Sequence, residues 1–423
     1  MALTAQHPTV VIRRYFLNGL LCLCTALLIR VTPAYAVAEG FEADLAPYKI
    51  VRSLQFVQDS VVQGDHSAGE MQRHLLKIVD ANLRAADQGV FEDERNVEAA
   101  FIYAMSGGNP ETLVLLVERD IDERFDRRLT TALNAYFSGS PEAARPVFQQ
   151  LLPEFADSRI GAYLMLVTAN VVAARDEQEA LRLFDWARLL APGTIIEESS
   201  LRRATHISSR IGDTNRALDN AERYVRRFLH SPYASQFVDI FVYAIVYHSQ
   251  SVDRDRVEYI LSLMDRPRQR EIYLRMARMG TIAGKEDIAL LAASRAEALS
   301  GETRDVVRDL AGFYAGIARV PTSDVTEAIE TIAAIPDDKL SQRDRALRDA
   351  AKTIARQVTA PPDPQRLAMP IPSSELPEPD EEDTDTTASD PPMDEAAGHS
   401  DFLAAKRAKL SDIDSLLDGS SDE

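Results

Sequence analysis

The sequence predicts an all-α fold, a solenoid of stacked helix pairs followed by a disordered acidic tail, on three observations. From about Leu45 to Val358 the apolar residues recur at helical spacing, with few alternating β-branched runs. Within that stretch one unit recurs: a short turn, a small or apolar residue, then another four positions on. Its mean interval is roughly 36 residues. Beyond Thr359 the composition turns to Pro, Asp, Glu, Ser and Thr, which bury too little apolar surface to offset the entropy of ordering.

Residues 1–36 read as a signal peptide. Arg13 and Arg14 form a positive start, Tyr15 to Ile29 an apolar run, and Ala34-Tyr35-Ala36 the small-x-small step that signal peptidase cuts. Cleavage between Ala36 and Val37 is expected, with Ala36-Val37-Ala38 an equally acceptable step that leaves Glu39 first. Ile12-Arg13-Arg14-Tyr15-Phe16-Leu17 also fits a twin-arginine signal, so the export route stays open between the two. The apolar run is broken by Arg30 and is short for the ~20 residues of a spanning helix, so no stable membrane insertion is expected after signal removal. Cys22 and Cys24 both lie in the segment removed, leaving an exported chain without a thiol, hence without disulfide, Cys–zinc site or thiol nucleophile. An exported, soluble chain is expected.

Residues 37–94 form an N-terminal helical region. Ile50, Leu54, Val57 and Val61 make one stripe of a helix over 45–63, Gly64 ends it, and Asp65 is placed to cap the next. Residues 95–358 carry the repeats. Gly139 is followed by Ala144 and Phe148; Arg175 by Ala180, Phe184 and Ala187; Gly212 by Ala217, Ala221 and Tyr224; Gly284 by Ala289, Ala293 and Ala296. Weaker copies start near Gly108, Val252 and Ser323. A small residue one turn into the second helix of a pair lets it approach the first, and the bulky residue a turn later fills the groove toward the next pair. The interval is close to the ~34 residues of tetratricopeptide arrays, so the units are degenerate tetratricopeptide-like repeats; an ordinary helical bundle with recurring alanines is the alternative. Residues 359–400 form a disordered acidic Pro-rich linker. In 401–423, Phe402, Leu403, Leu410, Ile413, Leu416 and Leu417 make the apolar stripe of a short amphipathic helix.

The chain of 423 residues has a formal net charge of −19. From Thr359 onward about 17 acidic and about 4 basic residues leave roughly −13 there, so the helical body is only mildly acidic. With no net positive field to collect phosphates, nucleic acid is excluded as a partner. Catalytic chemistry is not in evidence. Ser is plentiful but lies in turns and caps, and His206 and His248 fall in separate helices without a relay partner. His66, Glu70 and His74 share a helix face at metal-ligand spacing, but Gly69 weakens that helix and no fourth ligand is near, so no metal and no cofactor are expected. The acid pairs Glu197-Glu198 and Asp337-Asp338 sit at element starts, where carboxylates favour the helix dipole. In such arrays the first helix of each pair lines the groove, which selects Arg202, His206, Ser209 and Arg278 as partner-binding candidates for an acidic or C-terminal-carboxylate ligand.

Several stretches resemble one family. Leu45-Ala46-Pro47-Tyr48-Lys49 leading into Val51-Arg52-Ser53-Leu54-Gln55, Gly64-Asp65-His66 with Met71-Gln72-Arg73, and Ser106-Gly107-Gly108-Asn109-Pro110 are similar to MotC, a family of periplasmic motility proteins encoded with flagellar motor genes of some alphaproteobacteria. The resemblance implies a non-enzymatic role in flagellar rotation and chemotaxis, as a scaffold or chaperone for the periplasmic part of the stator protein MotB. It supplies no catalytic residues. Two other readings stay open on the residues alone: an exported tetratricopeptide-like adaptor for envelope or secretion assembly, and an envelope hydrolase with an unrecognised site.

Overall fold

The structure, a computed structural model, describes residues 45–300, 306–321 and 324–360. The expected signal peptide, acidic linker and terminal amphipathic helix lie outside these residues. The described residues form α-helices and short 3₁₀ turns without a strand. They are α1 (Pro47–Val62) and α2 (Ala68–Ala85), α3 (Glu94–Met105) and α4 (Pro110–Arg119), α5 (Arg127–Phe137) and α6 (Pro141–Phe155), and α7 (Gly161–Val172) and α8 (Glu177–Leu190). There follow α9 (Ile195–Arg210) and α10 (Thr214–Phe228), α11 (Ala234–Tyr247) and α12 (Arg254–Ser262), and α13 (Arg266–Ile282) and α14 (Glu286–Leu299). Last come α15 (Val306–Arg319) and α16 (Val325–Ala333), then a single helix, α17 (Gln342–Thr359). The fold is the all-α helical-repeat solenoid that the sequence predicts.

Local chemistry sets each pair. Between α9 and α10 the chain turns through Gly212 at φ 77°, a left-handed conformation that glycine adopts without Cβ strain. There Asp213 N donates to Ser208 O at 2.9 Å and closes the helix end, and the same turn recurs at Gly139 and Gly284. Asp213 then accepts from Arg216 N and starts α10, as Asp176 starts α8 and Asp253 starts α12. Four residues after each such start the predicted anchor is buried: Ala144, Ala180, Ala217, Val257, Ala289 and Ala328 are all at most 4% exposed. The larger residues one turn on, Phe148, Phe184 and Tyr224, are buried as well. Close approach is also visible from the first helix: a Cβ on Gly280 of α13 would meet Ala289 N of α14 at 3.0 Å.

Most second helices pack on their own first helix and on the next one, so α8 touches α7 and α9, and α10 touches α9 and α11, whereas the short α12 packs on α10. Successive first helices also touch, α7 with α9, α9 with α11 and α11 with α13. Ion pairs cross at about the repeat interval, among them Glu142–Arg175 and Asp287–Arg254. Exposed pairs of this kind add only tenths of a kcal/mol each; buried packing carries the register.

Two contacts break the nearest-neighbour pattern. Helix α1 packs against α3 and also against α9, and α3 against α7. Asp59 of α1 accepts from Ile195 N at 3.0 Å, supplying an acceptor to the first turn of α9 across 136 residues, while Gln63 Nε2 donates to Gly193 O at 2.9 Å. The chain thereby covers part of its own first-helix face, and a groove on α7, α9 and α11 stays open.

Burial raises the Asp59 carboxyl above its ordinary value, against the lowering effect of the Ile195 amide. A carboxyl with a raised folded pKa holds its proton better folded than unfolded. Its contribution therefore grows as pH falls below the folded value, until the unfolded value of 3.8 is passed. Asp59→Asn keeps an oxygen acceptor for Ile195. It is expected to equal or exceed the parent's stability at pH 7, by at most about 1 kcal/mol, with the difference closing at pH 4. Urea midpoints at the two pH values check this; a less stable variant at pH 7 would mean that the α9 terminus needs the charge.

Candidate functional site

The open face contains a groove of about 450 Å³ built on three first helices and floored by Phe184 of α8. Helix α7 contributes Asn170, α9 contributes Arg202, Arg203, His206 and Arg210, and α11 contributes Gln236 and Ile240. No carboxylate stands in the lining. The three arginines and one histidine all come from α9, a helix in which Glu197, Glu198, Ser200, Thr205, Ser208 and Ser209 are buried. Because α7, α8, α10 and α11 all pack on it, only a narrow stripe of α9 reaches solvent.

A buried ion pair beneath the groove holds Arg202. Glu198, 0% exposed, accepts from Arg202 Nε at 3.0 Å and from the Tyr224 hydroxyl at 2.8 Å. Arg202 Nη1 also donates to Gln236 Oε1 at 2.8 Å, and the guanidinium lies 4.9 Å over the Tyr233 ring. Beside it, Glu197 Oε2 accepts from Gly193 N at 2.6 Å and from Arg227 Nη1 at 2.7 Å. The acid pair is thus at a helix start, as its sequence position predicts. It is also the buried anchor of the site, which position alone does not reveal.

The remaining cations are compensated unequally. Arg210 is paired with Glu177 of α8. Arg203 and His206 have no ion pair or hydrogen bond among the described residues. Desolvation first, then the charge of Arg202, holds the Arg203 guanidinium below its ordinary value. His206 is likewise held down, by desolvation and then by Arg210 and Arg203. Asn170 Oδ1, on the α7 wall, also lacks a hydrogen-bond partner. A site of this kind has an unmet demand for negative charge.

Of the four predicted groove residues, Arg202 and His206 line the groove. Ser209 does not: it is 0% exposed, turned into the packing of the pair. Arg278 is also placed elsewhere, with its Nε on Asp344 Oδ1 of α17 at 3.1 Å. Against desolvation, hydrogen bonds from Ser341, Arg278 and Tyr314 keep the Asp344 carboxyl below its ordinary value. Arg278 therefore pins the closing helix. Arg278→Ala is expected to cost about 1–2 kcal/mol and to speed amide exchange across 342–359 while leaving ligand capture by the α9 groove unchanged. Loss of capture with normal exchange would return Arg278 to the binding surface.

His66, Glu70 and His74 are exposed, and among the described residues no group of three or more His, Asp or Glu side chains is arranged to hold a metal. No helix of the described residues is long and apolar enough to cross a membrane. A larger hollow, about 710 Å³, opens where α1 meets the α6–α7 and α8–α9 turns, but its lining holds two arginines, Arg52 and Arg159, and two aspartates, Asp59 and Asp157, so it has no charge preference.

The family model described as Chemotaxis protein MotC matches residues 10–422. Chemotaxis protein MotC of Rhizobium meliloti (strain 1021) is similar at 46% identity over 415 residues, covering 91% of this chain and 94% of that protein. No solved structure matches.

Proposed function

This chain belongs to the MotC family of chemotaxis proteins, and from that premise we propose that it is a periplasmic, non-enzymatic protein required for flagellar rotation. In this reading it acts as a scaffold or chaperone that grips the periplasmic part of the stator protein MotB through the α7–α9–α11 groove. The end-to-end family match carries the proposal, because it runs over residues 10–422, from the expected leader through the helical body to the acidic tail. The groove supports it physically. Stacked pairs hold α9 rigid on both flanks, so the cations are positioned before a partner arrives and little ordering entropy is lost on binding. The lining offers charge and apolar floor but no nucleophile with a base beside it, which suits gripping better than turnover.

Two measurements test this reading. The purified chain should capture the periplasmic domain of MotB at micromolar concentration, and deletion of the gene should leave assembled flagella that do not rotate. Absent capture, together with normal swimming, would transfer the chain to another envelope assembly.

A further inference from the structure

Resting on the reading of the groove as the gripping surface, we propose that its ligand is an extended acidic segment of the partner. Carboxylates of the segment lie on Arg203 and Arg210, a neighbouring apolar side chain covers Tyr243 and Tyr247, and His206 takes up a proton as the segment docks.

Charge complementarity selects the occupant. The groove presents Arg203 and His206 without ion-pair partners and no acidic residue in its lining; the nearby carboxylates, Glu198 on Arg202 and Glu177 on Arg210, are already paired, so an entering carboxylate meets chiefly cations. Arg203 and Arg210 lie seven positions apart on α9, about 10 Å along the axis, which an extended chain covers in about three residues. An extended chain also exposes backbone amides, and Asn170 Oδ1 is an acceptor without a partner on the groove wall.

The apolar half of the site is on α11. Gln236 and Ile240 line the groove, and Tyr243 and Tyr247 continue the same stripe at helical spacing. The two rings stack at 4.4 Å between centroids with 28° between planes, and they are 38% and 48% exposed. Two exposed tyrosines held against each other lose little freedom when a further side chain packs on them, which makes them a preformed platform.

Proton uptake follows from what surrounds His206. On α9 it faces Arg202, Arg203 and Arg210, of which Arg202 is paired with buried Glu198 and Arg210 with Glu177 of α8. Helices α7 and α11 offer Asn170 and Gln236, which do not titrate, and Tyr136 of α5 lies close enough to act on Arg203. In the free protein desolvation, and then the charges of Arg210 and Arg203, disfavour imidazolium. A docked carboxylate reverses that balance, so the complex holds more protons than its parts and affinity rises as pH falls through the histidine range.

The test uses the purified full chain and a synthetic ten-residue peptide of alternating Glu and Ala with one central Phe, labelled for anisotropy. Its counterpart carries Gln for every Glu. The acidic peptide is expected to bind at least tenfold more tightly than the Gln peptide. It should also bind several-fold more tightly at pH 5.5 than at pH 7.5, each pKa unit gained by His206 giving up to about tenfold. His206→Gln should bind with one affinity at pH 5.5 and pH 7.5, losing the pH dependence, and Tyr243→Ala/Tyr247→Ala should abolish the preference for Phe over Ala in the peptide. Equal binding of both peptides, or a pH dependence that survives His206→Gln, would overturn the proposal. MotB capture that is lost in Arg203→Glu, beside no peptide binding, would overturn the ligand class and leave the groove reading standing. Peptide binding lost in Arg203→Glu, beside unaffected MotB capture, would support the ligand class and overturn the groove reading.

Discussion

Glu198→Ala is expected to lower stability by about 3–5 kcal/mol, a large part of the 5–15 kcal/mol typical of folded domains. The carboxylate is fully buried, while the Arg202 side chain is only 11% exposed and Tyr224 is 0% exposed. Removing it leaves a guanidinium with too little water and only Gln236 to bond, and a buried hydroxyl with only Ser231 beside it, so most of two desolvation costs goes uncompensated. Burial, then the adjacent Glu198 charge, pushes the Tyr224 hydroxyl well above its ordinary range, so it remains a donor at any working pH. The loss should reach beyond the pair, because the Tyr224 ring stacks on Phe237 of α11 at 3.9 Å and ties α10 to the next repeat. Glu198→Gln keeps one acceptor and should cost less. The double change Glu198→Leu/Arg202→Leu should cost less than Glu198→Ala, since it buries no unpaired charge. Denaturant midpoints of the four proteins decide this. A cost below about 1 kcal/mol for Glu198→Ala would mean that water replaces the carboxylate and that the site lacks a buried anchor.

How much of this was legible in the sequence depends on the range of the contact. The second-helix anchors Ala144, Ala180, Ala217 and Ala289 were readable because the turn before each second helix fixes the helix phase. The residue four positions on must then face the partner helix, and close packing there demands a small side chain. The return of α1 onto α9 was not readable. Asp59 and Gln63 meet residues more than 100 positions away, and a single non-local pairing leaves no period to detect. On α9 the error was one of phase. Arg202, His206 and Ser209 make a plausible stripe at helical spacing, but the exposed stripe is Arg203, His206 and Arg210. A helix covered on most sides exposes the positions whose side chains cannot be buried, and Ser209 can be buried where an arginine at 203 or 210 cannot. The long cationic residues were therefore the usable signal, and the small polar ones were not.

Arg203→Glu is expected to weaken capture of the periplasmic MotB domain by about 10–100-fold and to leave assembled flagella that fail to rotate. Arg203 is the groove arginine without an ion pair or hydrogen bond among the described residues, so an acidic partner gains most by meeting it there. Reversal removes that attraction and sets a carboxylate against the incoming one. Arg210 is a poorer choice for this test, because it is already paired with Glu177 and its loss would mix binding with surface stability. Stability of Arg203→Glu should stay within about 0.5 kcal/mol of the parent, as for exposed substitutions away from buried networks. Arg223→Glu on α10, exposed and outside the groove lining, supplies the control for net charge and should bind normally. Raising ionic strength should reduce capture by the parent more steeply than by Arg203→Glu, since only the parent retains the screened attraction. Equal capture by parent, Arg203→Glu and Arg223→Glu would place the grip on another face of the array. The open stretch of α7, α9 and α11 would then be only the part of the first-helix face that α1 leaves uncovered.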